Sequence, residues 1–247
     1  MMPTNSWVQE VVGRPCSGVL PPRFDVLSNL EDMKKIHSIE QVAMVSYLCR
    51  WLAFSCVVGA LAGSASALFL AALDLATQTR LDRPWLLALL PLAGFATGWA
   101  YHRVGKSVEG GNNLLIDEIH DPQKIVPKRM APLVLVATVI THLFGGSAGR
   151  EGTAVQMGGA IADRITHVFG LDREDRRILL MGGIAAGFSS VFGTPLAGAV
   201  FGLEVLAIGR IRYDALLTCV ISAVVADAVC RLWGIHPTIY SIPFVPH

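Results

Sequence analysis

The sequence predicts an all-α membrane protein: a polytopic membrane helix bundle with tilted and discontinuous helices. Three observations carry this. Of 247 residues, 53% are hydrophobic and only 16% are charged, where a soluble domain carries roughly a quarter charged residues. Apolar runs recur from Val42 almost to the end of the chain, and the mean hydropathy is +0.52. Several runs are too short to cross a hydrocarbon core of about 30 Å upright, and they end at glycines, as broken or re-entrant helices do.

Residues 1–41 stand apart. They hold Pro3, Pro15, Pro21 and Pro22, the charged run Glu31, Asp32, Lys34 and Lys35, and no long apolar stretch. This reads as a soluble, partly disordered head with a short amphipathic helix around 28–41. No basic start feeds an apolar run with a small-residue cleavage site, so it is not read as a signal peptide. Residues 42–77 are apolar almost throughout, interrupted by Arg50 and Asp74. A span needs about 20 residues, so one long, tilted helix centred on 51–73 is expected. Gly59, Gly63, Ser64 and Ser66 give it a small face for close packing. A polar turn of Thr79, Arg80, Asp82, Arg83 and Pro84 leads to a second span at 85–101.

Residues 102–130 are polar. Apolar pieces follow at 131–146, 153–169, 178–192, 195–208 and 215–233, separated by glycine, proline or charge. The membrane domain is therefore taken as 42–234 and the tail as 235–247. Lys34, Lys35 and Arg50 favour a cytoplasmic N-terminus.

Composition excludes several function classes. Twenty basic against nineteen acidic side chains leave a net charge of +1, with no basic excess for nucleic-acid phosphates. Cys16, Cys49, Cys56, Cys219 and Cys230 form no CxxC pair and read as buried thiols. His120, His142, His167 and His236 lack metal-ligand spacing, and no cofactor is expected. An intramembrane serine protease would want a GxSG turn with a histidine on another span, whereas His142 precedes Ser147 on the same stretch. A phosphate-binding loop would need GK[ST], which does not follow. Trp85, Trp99 and Trp233 near segment ends suit interfacial positions.

The most informative window is 145–156, GGSAGREGTAVQ. Arg150 and Glu151 lie between two apolar segments with no polar loop on either side. Ionisable groups at membrane depth are costly and usually line a watery path. Gly145, Gly146, Gly149 and Gly152 let the backbone leave helical geometry, which a membrane tolerates only inside protein or beside a cavity. A helix opening at Gly152–Thr153 would add unpaired N–H groups and a positive dipole end, a site for an anion. Glu151 would then be a tethered anion that can take the travelling one's place, and its protonation would couple a proton to that movement. The bland reading is a structural Arg150–Glu151 ion pair at a surface turn. A second window, 109–119 (EGGNNLLIDEI), sets Gly110, Gly111, Asn112 and Asn113 ahead of a short amphipathic helix, with Asn as a natural cap; an N-capped surface helix is its plain alternative. A third is Phe192-Gly193-Thr194-Pro195, whose apolar helix ends at Glu204.

Together these windows resemble the CLC chloride channel and transporter family. GGSAGREGTAVQMGGAIA is similar to its GREGP selectivity motif, GGIAAGFSSVFGTPLAGAVFGLEVL to the helix pair that follows, and EGGNNLLIDEIH stands at the place of GSGIP. The resemblance spans roughly 45–242. It implies a gating, proton-coupling role for Glu151 and anion binding by Gly111, Asn112, Asn113, Leu114, Gly149, Arg150, Gly152 and Thr153. Thr153 in place of proline and GNNLL in place of GSGIP look like the bacterial fluoride/proton antiporter branch. So does the want of a relay glutamate near Val205, beside Glu204. The chloride-selective branch is the alternative. The implied fold is the first inverted repeat of a CLC-type fold, whose two halves both line the pore. The resemblance further implies a halide anion and protons as partners, a lipid surround, a homodimer through 195–208 and 215–233, a bacterial inner-membrane location, and no enzymatic activity. An inactive or split half, one that needs a complementary C-terminal half as partner, is the further alternative.

Overall fold

The computed structural model describes residues 26–121, 125–204 and 212–235, with side chains from Glu40 onward. The expectations for residues 1–25, for Cys16, Val205 and His236, and for the tail past Ile235 lie outside the described residues. The described helices are α1 (Val26–Asp82), α2 (Leu90–Val104), α3 (Asn112–His120), α4 (Met130–Leu143), α5 (Arg150–Phe169), α6 (Arg173–Phe192), α7 (Pro195–Glu204) and α8 (Leu216–Leu232), and no strand is found among these residues. The chain divides into two compact units, Met1–Tyr47 and Leu48–His247. In the first, the described residues are helical and those from Glu40 to Tyr47 are exposed. Residue 41 is therefore not a helix boundary: both the short helix expected at 28–41 and the span at 42–77 fall within α1.

The second unit is built on α6. Eleven of its residues between Leu179 and Ser190 form an almost unbroken buried run, which only a helix surrounded by other helices can show. The packing partners of α6 are α5, α7 and α8. Helix α5 runs antiparallel to it, with Gly158 against Gly183 and Gly187 against Ala154; a Cβ on any of these glycines would collide with the facing backbone. Without side chains at the crossing, the two backbones touch, the usual means by which membrane helices gain packing energy. Helix α8 lies along α6 in the same sense, where the Ser189 hydroxyl donates to the Ala223 carbonyl at 2.8 Å. Helix α1 joins α8 through Gly59 and Gly63, which face Ser222, Val225 and Ala226, and through the Ser222 hydroxyl, which donates to the Ser55 carbonyl.

The outer surface is apolar. Leu61, Leu68, Leu75, Leu92, Phe95, Leu196, Val200, Leu216, Val224 and Leu232 are all exposed, while Ser55, Ser66, Thr138, Ser189, Ser190, Thr218 and Ser222 are buried. That inside-out distribution suits a hydrocarbon solvent rather than water. Two described helical stretches, Glu40–Asp82 and Tyr213–Leu232, are long and apolar enough to cross a membrane. Helices α4 and α7 are apolar but have only 14 and 10 residues, or about 21 and 15 Å at 1.5 Å per residue. These are the short elements that the sequence predicts.

Three boundaries differ from expectation, each for a local reason. The span expected at 85–101 is broken into a 3₁₀ turn at Pro84–Leu89 followed by α2. Pro91 has no N–H to return to Leu87 and falls in the first turn of α2, where a helix needs none, so the α-helix begins there and not earlier. Helix α6 starts at Arg173, five residues before the expected 178, because the Asp172 carboxylate accepts from the Asp175 N–H at 2.8 Å and acidic Glu174 and Asp175 sit in its first turn. Helix α5 opens at Arg150 rather than at Gly152–Thr153, since Gly149 takes the extended N-cap conformation (φ −69°, ψ 140°).

Candidate functional site

Arg150 and Glu151 are thus the first two residues of a helix. The first-turn N–H groups of α5 receive no side-chain cap from Gly149 and have no carbonyl partner within the helix. The same holds at α3. Its N-cap is Gly111, at φ +54° and ψ −127°, and no side chain caps it. Asn112 and Asn113 are therefore inside the helix as its first two residues, where the sequence suggested a capping asparagine. Gly111 can hold this backbone because it lacks a Cβ.

The two glycine windows meet. The Asn112 Nδ2 stands 3.5 Å from the position a Cβ on Gly152 would take, and the Gln156 Nε2 stands 3.3 Å from the corresponding position on Gly111 and 4.0 Å from that on Gly152. Farther along, Leu115 packs against Gly159, within 2.7 Å of its Cβ position. The pairs 112–152, 115–159 and, through Arg176, 118–163 advance together along both chains, so α3 and α5 run side by side in the same sense. Their positive dipole ends, each about half an elementary charge, lie at the same end. The Asn113 N–H is tied back to the Gly110 carbonyl at 3.0 Å; the two like poles, neither capped by a side chain, and two carboxamide N–H₂ groups converge on one place. Donors and dipole ends arranged in this way are chemically suited to an anion.

The two charged neighbours part company. Glu151 is exposed, and its Oε2 lies 2.8 Å from where a Cβ on Gly149 would stand, so the carboxylate folds back over the N-cap. Arg150 instead lines a separate cavity with Asp74, Gln78, His142, Val191 and Gly234. In that cavity Gln78 donates to the Asp74 carboxylate at 2.7 Å. His142 Nδ1–H donates to the Thr138 carbonyl at 2.9 Å. Among the described residues Arg150 and Glu151 form no ion pair, which removes the structural ion pair as an account of the window. Thr153 is buried, and its hydroxyl shares a 2.8 Å hydrogen bond with that of Thr138 on α4, turned from the opening. Leu114 is half-buried against the main apolar core, while Asn112 and Asn113 are exposed.

Sequence reasoning missed Gln156, although it lies one turn into α5 from Gly152 and therefore on the same face. It also missed a buried ionic cluster beneath the site. Glu118, Asp163 and Arg176 are 4%, 1% and 7% exposed. Arg176 Nε donates to Asp163 at 2.6 Å and its Nη1 to Glu118 at 3.1 Å. The other Asp163 oxygen accepts from the Val126 N–H at 2.8 Å. A signal was present: Asp163 is an acidic residue within an apolar stretch, which needs a partner.

Known proteins resemble the chain in sequence and in fold. Residues 93–247 match the family described as voltage gated chloride channel. The chain is 65% identical over 210 residues to a chloride/fluoride channel protein of Pseudomonas syringae pv. tomato, covering 85% of this chain and 46% of that protein. It is 31% identical over 208 residues to the H(+)/Cl(-) exchange transporter ClcA of Vibrio cholerae, covering 78% and 44%. Among solved structures, a CLC-type fluoride/proton antiporter superposes with a TM-score of 0.74 at 35% identity, covering 81% of this chain and 51% of that one. A slow cyanobacterial Cl−/H+ antiporter gives 0.65 at 27% identity, with coverages of 76% and 47%. The chain spans about half the length of the curated relatives it matches. The helical fold, the two facing glycine windows and the family match lead to one assignment: this chain belongs to the voltage-gated chloride channel family, the CLC proteins.

Proposed function

We propose that the chain forms one wall of a halide pathway in a bacterial inner membrane, exporting fluoride in exchange for protons. The observation that carries this is the meeting of two uncapped, parallel helix N-termini at Gly111–Asn112 and Arg150–Gly152, with the Asn112 and Gln156 carboxamides beside them. Fluoride is the small halide that gains most from short N–H donors, and carboxamides supply such donors where a hydroxyl would supply one. The two relatives whose names include fluoride, a chloride/fluoride channel protein at 65% identity and a CLC-type fluoride/proton antiporter at 35%, stand above the chloride exchangers at 31% and 27%, which supports the same choice. Glu151 is the gate and proton carrier: its carboxylate folds over the N-terminus of α5 and competes with the anion for it, and protonation releases it.

The site is open on the side where Glu151, Asn112 and Asn113 are exposed, and further helices, from the same or another polypeptide, supply the facing wall. The exposed apolar faces of α7 and α8 make the homodimer contact. Protein reconstituted in liposomes tests the reading by efflux of fluoride against chloride. Faster fluoride efflux accompanied by proton uptake is expected; chloride preference would move the chain to the chloride branch. Replacing Glu151 by Gln should abolish proton-linked transport, and coupling at the unmodified level would remove Glu151 from the role.

A further inference from the structure

The two N-termini repel. Each positive dipole end is stabilised by an anion and destabilised by the other, so an empty site pushes α3 away from α5. Helix α3 has few holds against this: it has nine residues, its three buried side chains are Leu115, Glu118 and Ile119, and at its far end the His120 carbonyl accepts from Arg177 Nη2 at 2.6 Å. One of these three is a carboxylate, and it bonds to Arg176. Arg176 on α6 bridges it to Asp163 on α5, and Asp163 also fixes the chain after α3 through the Val126 N–H. The planar guanidinium presents its two N–H edges at fixed angles, so the bridge sets the separation of α3 and α5 as well as tying them together.

We propose that Glu118, acting through Arg176, is a positioning residue for the anion site: the Glu118–Arg176–Asp163 bridge holds the like-charged N-termini of α3 and α5 at the separation at which one anion contacts both. This inference rests on the meeting point of α3 and α5 being the anion site. The bridge lies about two turns along α3 and three along α5 from that point, at the 118–163 level, and touches no anion itself.

Removing Arg176 would strand two buried carboxylates and can abolish folding, so the test uses Glu118. Met at 118 keeps the length and removes the acceptor, while Asp163 still pairs with Arg176. Gln at 118 keeps an oxygen that accepts from Nη1. Hydrogen exchange of the reconstituted full chain is measured over residues 111–116, with α5 and α8 as internal references. The E118M protein should exchange about tenfold faster over 111–116 while α5 and α8 hold their rates, and E118Q should stay within about twofold of the unmodified chain. Titration with sodium fluoride should show the same order, with affinity about tenfold weaker in E118M and restored in E118Q.

Unchanged exchange in E118M, equal exchange in E118M and E118Q, a uniform rise across α5 and α8, or unaltered fluoride affinity in a loosened E118M would each overturn the positioning role. If the unmodified chain binds neither fluoride nor chloride, the anion-site reading and the positioning role built on it both fall. Exchange in E118M then still decides whether the bridge holds α3 to α5.

Discussion

Replacing Gly111 by Ala tests the site at the position where the backbone leaves least freedom. Gly111 has φ +54° and ψ −127°, a region that costs a residue with a side chain about 1–3 kcal/mol. The added Cβ would also stand 3.3 Å from the Gln156 Nε2, so the carboxamide must give way by a few tenths of an ångström. The chain can relieve the strain only by turning the start of α3, which moves the Asn112 amide and side chain off their common point with Gly152. If the whole strain is expressed as lost anion binding, 1–3 kcal/mol corresponds to about a 5- to 150-fold weaker affinity. Fluoride titration of the reconstituted protein measures it. Gly170 provides the matched control: its φ is +60°, but a Cβ there meets nothing within 4 Å, and it closes the far end of α5. Gly170→Ala should lower thermal stability and leave fluoride affinity unchanged. Equal affinities for Gly111→Ala and the unmodified chain would refute the claim that the α3 N-terminus contacts the anion.

Two further outcomes follow from the packing. Gly187→Val places a branched side chain against the Ala154 backbone, and the α5–α6 crossing must open; overpacking of this kind costs about 1–3 kcal/mol or more, and size-exclusion profiles should show loss of the monodisperse species. Thr153→Val removes the hydroxyl bonded to Thr138; membrane hydrogen bonds of this sort are worth about 0.6 kcal/mol on average. A small drop in melting temperature is expected with fluoride affinity kept, whereas loss of affinity would show that this hydroxyl serves the anion.

Much of the fold was legible because hydrophobic runs and glycine positions are strong local signals. The short helices α4 and α7 and the 42–77 part of α1 followed from run length alone. What stayed hidden depends on partners distant in sequence. The start of α6 depends on Asp172, whose carboxylate caps the Asp175 N–H, a contact that hydrophobic run length does not reveal. The break before α2 was visible in Pro84 and Pro91 but was masked by the apolar residues around them. At the site, the residue types in both windows indicated amide-rich turns, and the structure brings these together. The sequence could not show that Arg150 turns into a cavity while Glu151 stays exposed at the helix start, since neighbours on a helix differ by about 100° in direction. Nor could it show that the Thr153 hydroxyl is engaged with Thr138. The bridge of Glu118, Asp163 and Arg176 draws on three helices; Asp163 alone stood out, in an apolar stretch, while Glu118 and Arg176 sit among other charges and look like surface residues.

The side-chain-free crossing of α5 and α6 bears on how the protein is made. Each has 20 residues, yet neither is apolar enough to pass as a membrane-crossing segment on its own, so a translocation channel that judges segments one at a time would hesitate over both. Joined by the tight turn at Gly170, they can enter lipid as a zipped pair whose polar stretches face one another. Biogenesis then depends on that zipping, and damage at Gly158, Gly183 or Gly187 would be removed by cellular quality control during synthesis, before a finished protein exists to be assayed.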